Sequence, residues 1–387
     1  MSVTAPGGFV AAGVPCGIKA SGAPDLALVA TSDGVAVPAA AVFTSNLMTA
    51  ATVLATRAHL DATGSMAAAV ILNSGNANAA TGAGGRADAE RMCALTAAAL
   101  GCRAEEVLVC STGLIGIPMP MAALDAGIPA LVAGRRRNGG FDAADAIRTT
   151  DTCTKEVAVD GDGFTVGGMA KGAAMLAPDM ATMLAVLTTD ASADHDTLQR
   201  TLHTAVAGSF NALTIDGWTS TNDTVILLAS GVAGPVAESA LAAAVSEACT
   251  GLAGQMVGDA EGATKVVRLQ VTGAADDGEA ARAARKVAES QLVKCSWYGQ
   301  DPYWGRIASE LGSAGVAFHP DRLVISYGGV VVCRGGVTVD HDEGAVRDHL
   351  AGRHLEVTAD LGLGAGQGRI LTNDLTHAYV DENMGRS

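Results

Sequence analysis

Short apolar runs alternate with segments of helical composition along this chain, a pattern that predicts a mixed α/β protein. Helices are expected over residues 87–100, 194–210, 237–252 and 279–289. The second of these repeats apolar residues at helical spacing and carries Asp194 and Asp196 in its first turn. Strands are expected over residues 107–110, running into the turn Ser111-Thr112-Gly113, and over 224–229, 265–271, 323–327 and 330–333. The run MLAVLTT at residues 183–189 reads as a buried strand. Residues 34–56 carry no charge and are long enough to span a bilayer, but Pro38, Thr44, Ser45, Asn46 and Thr49 break the run. They read as two buried strands around a turn. Residues 133–140, with Arg135, Arg136 and Arg137 in a row, are the expected exposed connector. There is no internal repeat and no low-complexity linker.

Composition narrows the function classes. The 25 lysines and arginines against 40 aspartates and glutamates leave a formal net charge of −15, which repels phosphate backbones and anionic lipid. Nucleic acid and membrane are therefore not expected as partners. The opening residues, MSVTAPGGFVAAGV, have no basic segment before their apolar stretch, so no signal peptide is expected. Eight cysteines lie scattered, without a CxxC pair or a Cys/His cluster at ligand spacing. Reduced buried thiols in a cytoplasmic protein are expected, with no metal site.

The segment GGMAKGAAMLAPDMATMLAVLTTDA at residues 167–191 carries the most chemistry. A Gly/Ala-rich approach passes through Pro178-Asp179 to Ala181-Thr182, and the buried strand follows. On its own, Thr182 is an ordinary strand residue. A threonine that becomes an N-terminus, however, gains an α-amine that can act as the general base for its own hydroxyl. Model α-amines titrate at about 7.7–8.0, which suits proton transfer near neutrality.

The stretch from Lys171 to Leu184, KGAAMLAPDMATML, closely resembles the cleavage region of the ornithine acetyltransferases. Further segments resemble that family in the same order: GF-x-AAGV near Gly8, AVFTSN at 41–46, NSGNANAATG at 73–82 and CSTGLIG at 110–116. TTDT at 149–152, STNDTV at 220–225, EGATK at 261–265, DPYWGR at 301–306 and NDLTHAYVDEN at 373–383 continue the series. The resemblance covers essentially the whole chain. It implies a layered helix–sheet–sheet–helix sandwich shared with self-processing aminopeptidases. It also implies a precursor cut between Ala181 and Thr182 into an α chain, 1–181, and a β chain, 182–387, assembled as an α2β2 heterotetramer.

The resemblance gives Thr182 the role of nucleophile, taking acetyl from N-acetylornithine and passing it to glutamate without a metal or organic cofactor. Thr112 and Gly113 match the family's oxyanion hole. Thr149, Lys171, Thr182, Glu261 and Asn383 match its substrate-binding residues, and Thr150 or Thr152 are alternatives to Thr149. Ser387 is expected to serve as the C-terminal substrate contact, although the tail ends slightly short of the family pattern. Two other departures are KGAAML in place of a more Gly/Ser-like run and Tyr303 where Asn is common. The resemblance leaves open whether acetyl-CoA is a second donor. Rival readings are an N-terminal-nucleophile aminopeptidase or amidase, a paralogue acting on another N-acetylated amino acid, and an uncleaved binding protein. His377, in a strand-like run, and His319, before Pro320, have no expected catalytic role. Cys110 and Cys153 read as packing residues.

Overall fold

Strands that are apolar on both faces need cover on both faces, and the chain supplies it with sheets and helices. The structure, a computed structural model, describes residues 2–175 and 183–384. It contains two compact units: Met1–Asn211 with Trp218–Met256, and Ala212–Gly217 with Val257–Ser387. The first unit therefore holds residues from both sides of the Ala181–Thr182 bond.

The first unit contains, in chain order, β1 (Phe9–Val14), β2 (Leu26–Thr31), β3 (Val37–Phe43), α1 (Ala51–Thr63), β4 (Met66–Ala67), β5 (Ala69–Asn76), α2 (Gly82–Leu100), β6 (Val107–Leu114), α3 (Met121–Ala133) and α4 (Gly140–Ala146). It continues with β7 (Lys155–Asp160), β8 (Thr165–Lys171), β9 (Leu184–Ser192), α5 (His195–Gly208), β10 (Thr224–Pro235) and α6 (Glu238–Gly258). One sheet has the order β1-β2-β5-β6 and the other the order β4-β3-β10-β9-β8-β7.

The alternation of side chains explains the layers. Val70 and Leu72 of β5 face inward, where they meet Met169, Val186 and Ile226 of the second sheet. Ala69 and Ile71 face outward and pack against Met92 of α2 and Leu124 and Ile128 of α3. On the far side of the second sheet, α6 brings Leu252 against Gly168 of β8, which lacks the side chain that would fill that space. Helix α5 reaches β3 through Gln199, whose amide donates to the Ala41 carbonyl. The first unit is thus the expected helix–sheet–sheet–helix sandwich.

The second unit is built on one sheet, β14-β13-β12-β15-β11-β16. Its strands are β11 (Val266–Ala274), β12 (Val324–Tyr327), β13 (Val330–Arg334), β14 (Val337–Thr338), β15 (His354–Asp360) and β16 (Gly366–Asn373). Helices α7 (Asp277–Ala288), α8 (Gln291–Tyr298), α9 (Gly305–Gly312), α10 (Glu343–Ala351) and α11 (His377–Asn383) complete it. Its core includes Leu269, Ile325 and Val357 from the sheet and Val287, Trp297 and Leu350 from the helices.

Several expectations needed correction. Residues 34–56 form one strand, β3, and then enter α1 at Ala51. Short apolar runs do not separate strand from helix by pattern, and here the Thr56 hydroxyl anchors the helix to Val109 on β6. His377 begins a helix rather than a strand, because the Thr376 side chain caps α11 by accepting the Tyr379 N–H. The arginine-rich connector is a loop, yet Arg136 forms an antiparallel bridge with Ala11 that pins it to the first sheet. Helix α6 is long and apolar enough to cross a membrane by length and composition. Its Leu241, Val245, Cys249, Leu252 and Met256 are all buried in the folded chain.

Candidate active site

The parallel pair β5/β6 ends at Thr112 and Gly113, and the turn expected there is in fact strand interrupted by a bulge, with Asn76 opposite both Thr112 and Leu114. Gly113 has φ +131°, and a Cβ on it would lie 2.3 Å from the Gly75 carbonyl carbon. Only glycine fits that backbone. Gly113→Ala is expected to destabilise the first unit by about 2–4 kcal/mol, read as a lower urea midpoint.

The other side of this site comes from the second sheet. Strand register sets Lys171, the last residue of β8, opposite Leu184, the first of β9, and Leu184 opposite Thr224, the first of β10. The Lys171 ammonium lies 3.4 Å from the Thr112 hydroxyl, bridging the two sheets. The Asn222 amide adds a second tie, donating to the carbonyls of Ala77 at 2.6 Å and Ser111 at 2.8 Å. Ala181 and Thr182 lie outside the described residues, directly before Met183 and β9.

Asp151 organises the groups around Lys171. Its carboxylate accepts from the Lys155 ammonium at 2.6 Å, the Gly172 N–H at 2.7 Å and the Thr149 N–H at 3.0 Å. The Lys171 ammonium is 4.0 Å away. Burial by itself would raise the Asp151 carboxyl, but the Lys171 and Lys155 charges outweigh it and hold the group well below the usual carboxylate range. Thr149 is therefore fixed through its backbone, beside the same carboxylate that faces Lys171.

Asp223 behaves in the opposite way. Its Oδ1 accepts the Met183 N–H at 2.8 Å. Burial drives its carboxyl well above the ordinary range, against the lowering effect of Met183, Lys171 and Ser220. Sequence reasoning assigned no role to Asp151 or Asp223, although each stands inside a quoted motif, TTDT and STNDTV.

In the second unit, the motifs EGATK and NDLTHAYVDEN meet. The Asn383 amide donates to Glu261 Oε2 at 2.6 Å and to the Tyr379 carbonyl at 2.8 Å. Glu261 is only 5% exposed. Asp374 accepts the N–H groups of Thr264 and Lys265, and the Thr376 hydroxyl donates to the Gly262 carbonyl, so the Glu261 turn is tied down on both sides. Gly262 has φ +62°, and its Cβ position is blocked by the Tyr379 nitrogen at 2.5 Å. The Tyr379 hydroxyl donates to Asp216 at 3.2 Å, and burial with the Asp216 charge pushes that phenol up. Ser387 lies outside the described residues.

The described residues hold no group of three His, Cys, Asp or Glu arranged to bind a metal. Among the described residues no disulfide joins any of the eight cysteines. Burial pushes the Cys110 thiol up to about 12, which makes it a packing group rather than a nucleophile. His377 sits edge-on to Tyr298, with ring centroids 6.1 Å apart.

Comparison with known proteins decides the family. The ArgJ family model matches residues 10–385. The chain belongs to the ArgJ family. Its relatives include the arginine biosynthesis bifunctional protein ArgJ of Mycobacterium tuberculosis, 50% identical over all of this chain and 96% of the relative. The protein of the same name from Thermobifida fusca is 47% identical over the full length of both. Among solved structures, the ornithine acetyltransferase of Mycobacterium tuberculosis complexed with ornithine is 51% identical over 46% of this chain and 94% of that chain, with a TM-score of 0.44. The arginine biosynthesis bifunctional protein of Bacillus halodurans is 35% identical over 51% of this chain and 96% of that chain, with a TM-score of 0.49. As an ArgJ family member, the chain is an acyltransferase of arginine biosynthesis.

Proposed function

We propose that this chain transfers acetyl from N2-acetyl-L-ornithine to L-glutamate through an acetyl ester on Thr182, after cutting its own Ala181–Thr182 bond. The observation that carries this reading is the register that sets the end of β8 level with the start of β9, with Lys171 3.4 Å from Thr112. Met183, the described residue before β9, is held by the Asp223 carboxylate in the same unit as Thr112 and Gly113.

In the proposed self-cleavage, the Thr182 hydroxyl oxygen attacks the Ala181 carbonyl carbon and the C–N bond breaks. Water then hydrolyses the resulting ester. The products are a carboxylate on Ala181 and a free α-amine on Thr182. In turnover that amine takes the hydroxyl proton as Thr182 attacks the acetyl carbon, and returns it to the departing ornithine nitrogen. The glutamate amine then attacks the ester. Each tetrahedral intermediate carries a negative oxygen, which the Thr112 hydroxyl and the Gly113 N–H receive in this reading. Lys171 and Thr149 serve the substrate carboxylate, and Glu261, with Asn383 and Ser387, serves the ornithine ammonium. The processed chains, 1–181 and 182–387, assemble as a cytoplasmic α2β2 heterotetramer in this reading.

Glu261→Gln keeps an oxygen for Asn383 but removes the charge. It is expected to raise KM for N-acetylornithine roughly 10–100-fold with a smaller change in kcat, checked by steady-state kinetics. The function itself is tested by mixing N-acetylornithine and glutamate and following products. N-acetylglutamate with ornithine supports transfer, whereas acetate with ornithine would identify a hydrolase. Repeating the assay with acetyl-CoA in place of N-acetylornithine reveals whether the same hydroxyl takes a second donor.

A further inference from the structure

The loop between β1 and β2 is folded around Asp25. The buried Asp25 carboxylate accepts the N–H groups of Cys16 at 2.7 Å, Gly17 at 3.2 Å, Ile18 at 2.7 Å and Lys19 at 2.9 Å. This brings Lys19 onto the end of the first sheet, where a Cβ on Gly75 would lie 3.2 Å from Lys19 Cγ. Gly75 is the register partner of Gly113. Neighbouring strands lie about 4.8 Å apart, so the Lys19 stem packs on the strand next to Gly113.

Lys19, Asp145, Arg148, Thr149 and Asp151 line one cleft of about 150 Å³, room for several waters or for a carboxylate on a short stem. Both carboxylates in it already have partners. Asp145 pairs with Arg148 at 2.6 Å, and Asp151 with Lys155 at 2.6 Å. Arg148 is further held by the carbonyls of Asp151 at 3.3 Å and Thr152 at 3.2 Å. Lys19 is less well matched. Its ammonium donates to the Pro24 carbonyl at 2.7 Å, which leaves two of its three donors for a ligand. Burial lowers its pKa, and the charges of Asp25, Asp145 and Asp151 oppose that shift.

The proposed reaction calls for such a cation. Its donor has a side chain ending in an ammonium and its acceptor one ending in a carboxylate, and a group that attracts one repels the other. We propose that Lys19 is the residue specific to the acceptor, donating to the side-chain carboxylate of glutamate in this cleft, beside Arg148 and Thr149. This rests on glutamate being the acceptor. Fastening the loop does not account for the lysine, since Asp25 already holds it through four N–H groups and the Pro24 carbonyl needs a donor rather than a charge.

The test is acetyl transfer by wild type, Lys19→Met and Lys19→Arg, with glutamate and glutamine compared as acceptors and thermal melting measured alongside. Lys19→Met is expected to lower kcat/KM for glutamate roughly 10–100-fold. Far smaller changes are expected for N-acetylornithine and glutamine, so the preference for glutamate over glutamine falls by a similar factor. Lys19→Arg keeps the charge and is expected to retain most of that preference. A Lys19→Met enzyme that keeps the preference, or that loses donor and acceptor equally, overturns the inference. Should Lys19→Met not fold, wild type still decides. The 15N resonance of the Lys19 ammonium, assigned by its loss in Lys19→Arg, is expected to shift with glutamate and not with glutamine. An unmoved resonance overturns the inference. A wild-type enzyme that hydrolyses N-acetylornithine without acetylating glutamate would remove the reading beneath it, and the same resonance would then decide whether the cleft takes the carboxylate.

Discussion

Thr182→Ala is expected to give a single full-length chain and to lower acetyl transfer by roughly 10⁴–10⁶-fold, the scale on which loss of a nucleophile acts. Both effects have one origin. The hydroxyl that opens the Ala181–Thr182 bond in the proposed route is the same atom that later carries the acetyl group. Removing it prevents the cut, leaves no free amine and abolishes the ester. Thr182→Ser separates these steps, since it retains an oxygen and is expected to be cut, with transfer reduced far less. Denaturing mass measurement and the two-substrate assay check both variants. Efficient transfer by an uncut Thr182→Ala chain would mean that another group carries the acetyl.

The second large effect concerns Asp151. Lys155 and Asp151 are both fully buried as side chains, and Lys171 is 3% exposed. Replacing Asp151 with Asn leaves two buried ammonium groups without this carboxylate, and breaking a buried pair in this way costs about 3–5 kcal/mol. The pH dependence follows from the direction of the shift. The Asp151 carboxyl lies below its unfolded value, so its stabilisation is fully present above the unfolded pKa of about 3.9 and is lost as pH falls through the lower folded value. Urea midpoints of wild type and Asp151→Asn should differ by a constant amount from neutral pH down to about 5 and converge only in strong acid. A gap that closes near neutrality would contradict this account. Activity should fall as well, because Lys171 and Thr149 both take their positions from Asp151.

Much of the fold was legible in the sequence. The helix expected at 194–210 is α5, with Asp194 as its N-cap, and the run MLAVLTT enters β9 at Leu184. The apolar stretch at 34–56 was not legible, because its helix is anchored by the Thr56 bonds to β6, a partner more than fifty residues away in sequence. The C-terminal helix α11 was missed for a local reason: the Thr376 cap lay within a run whose aromatic and β-branched residues suggested a strand.

The candidate site was legible in part. The residues with expected roles fall into two groups, Thr112, Gly113, Thr149 and Lys171 in one unit and Glu261 and Asn383 in the other. Nothing in the motifs TTDT and STNDTV signals that Asp151 and Asp223 are buried with opposite shifts. Burial and the nearness of Lys155 and Lys171 decide the sign for each, and both are products of strand register.

The most direct test of the central claim is to incubate wild-type protein with N-acetylornithine and no glutamate, quench in acid, and map the acetyl group by mass. The account predicts a chain beginning at Thr182 with one added acetyl on that residue, discharged when glutamate is supplied. Turnover without acetyl on Thr182, or acetyl on another side chain that glutamate removes at the rate of catalysis, would contradict it.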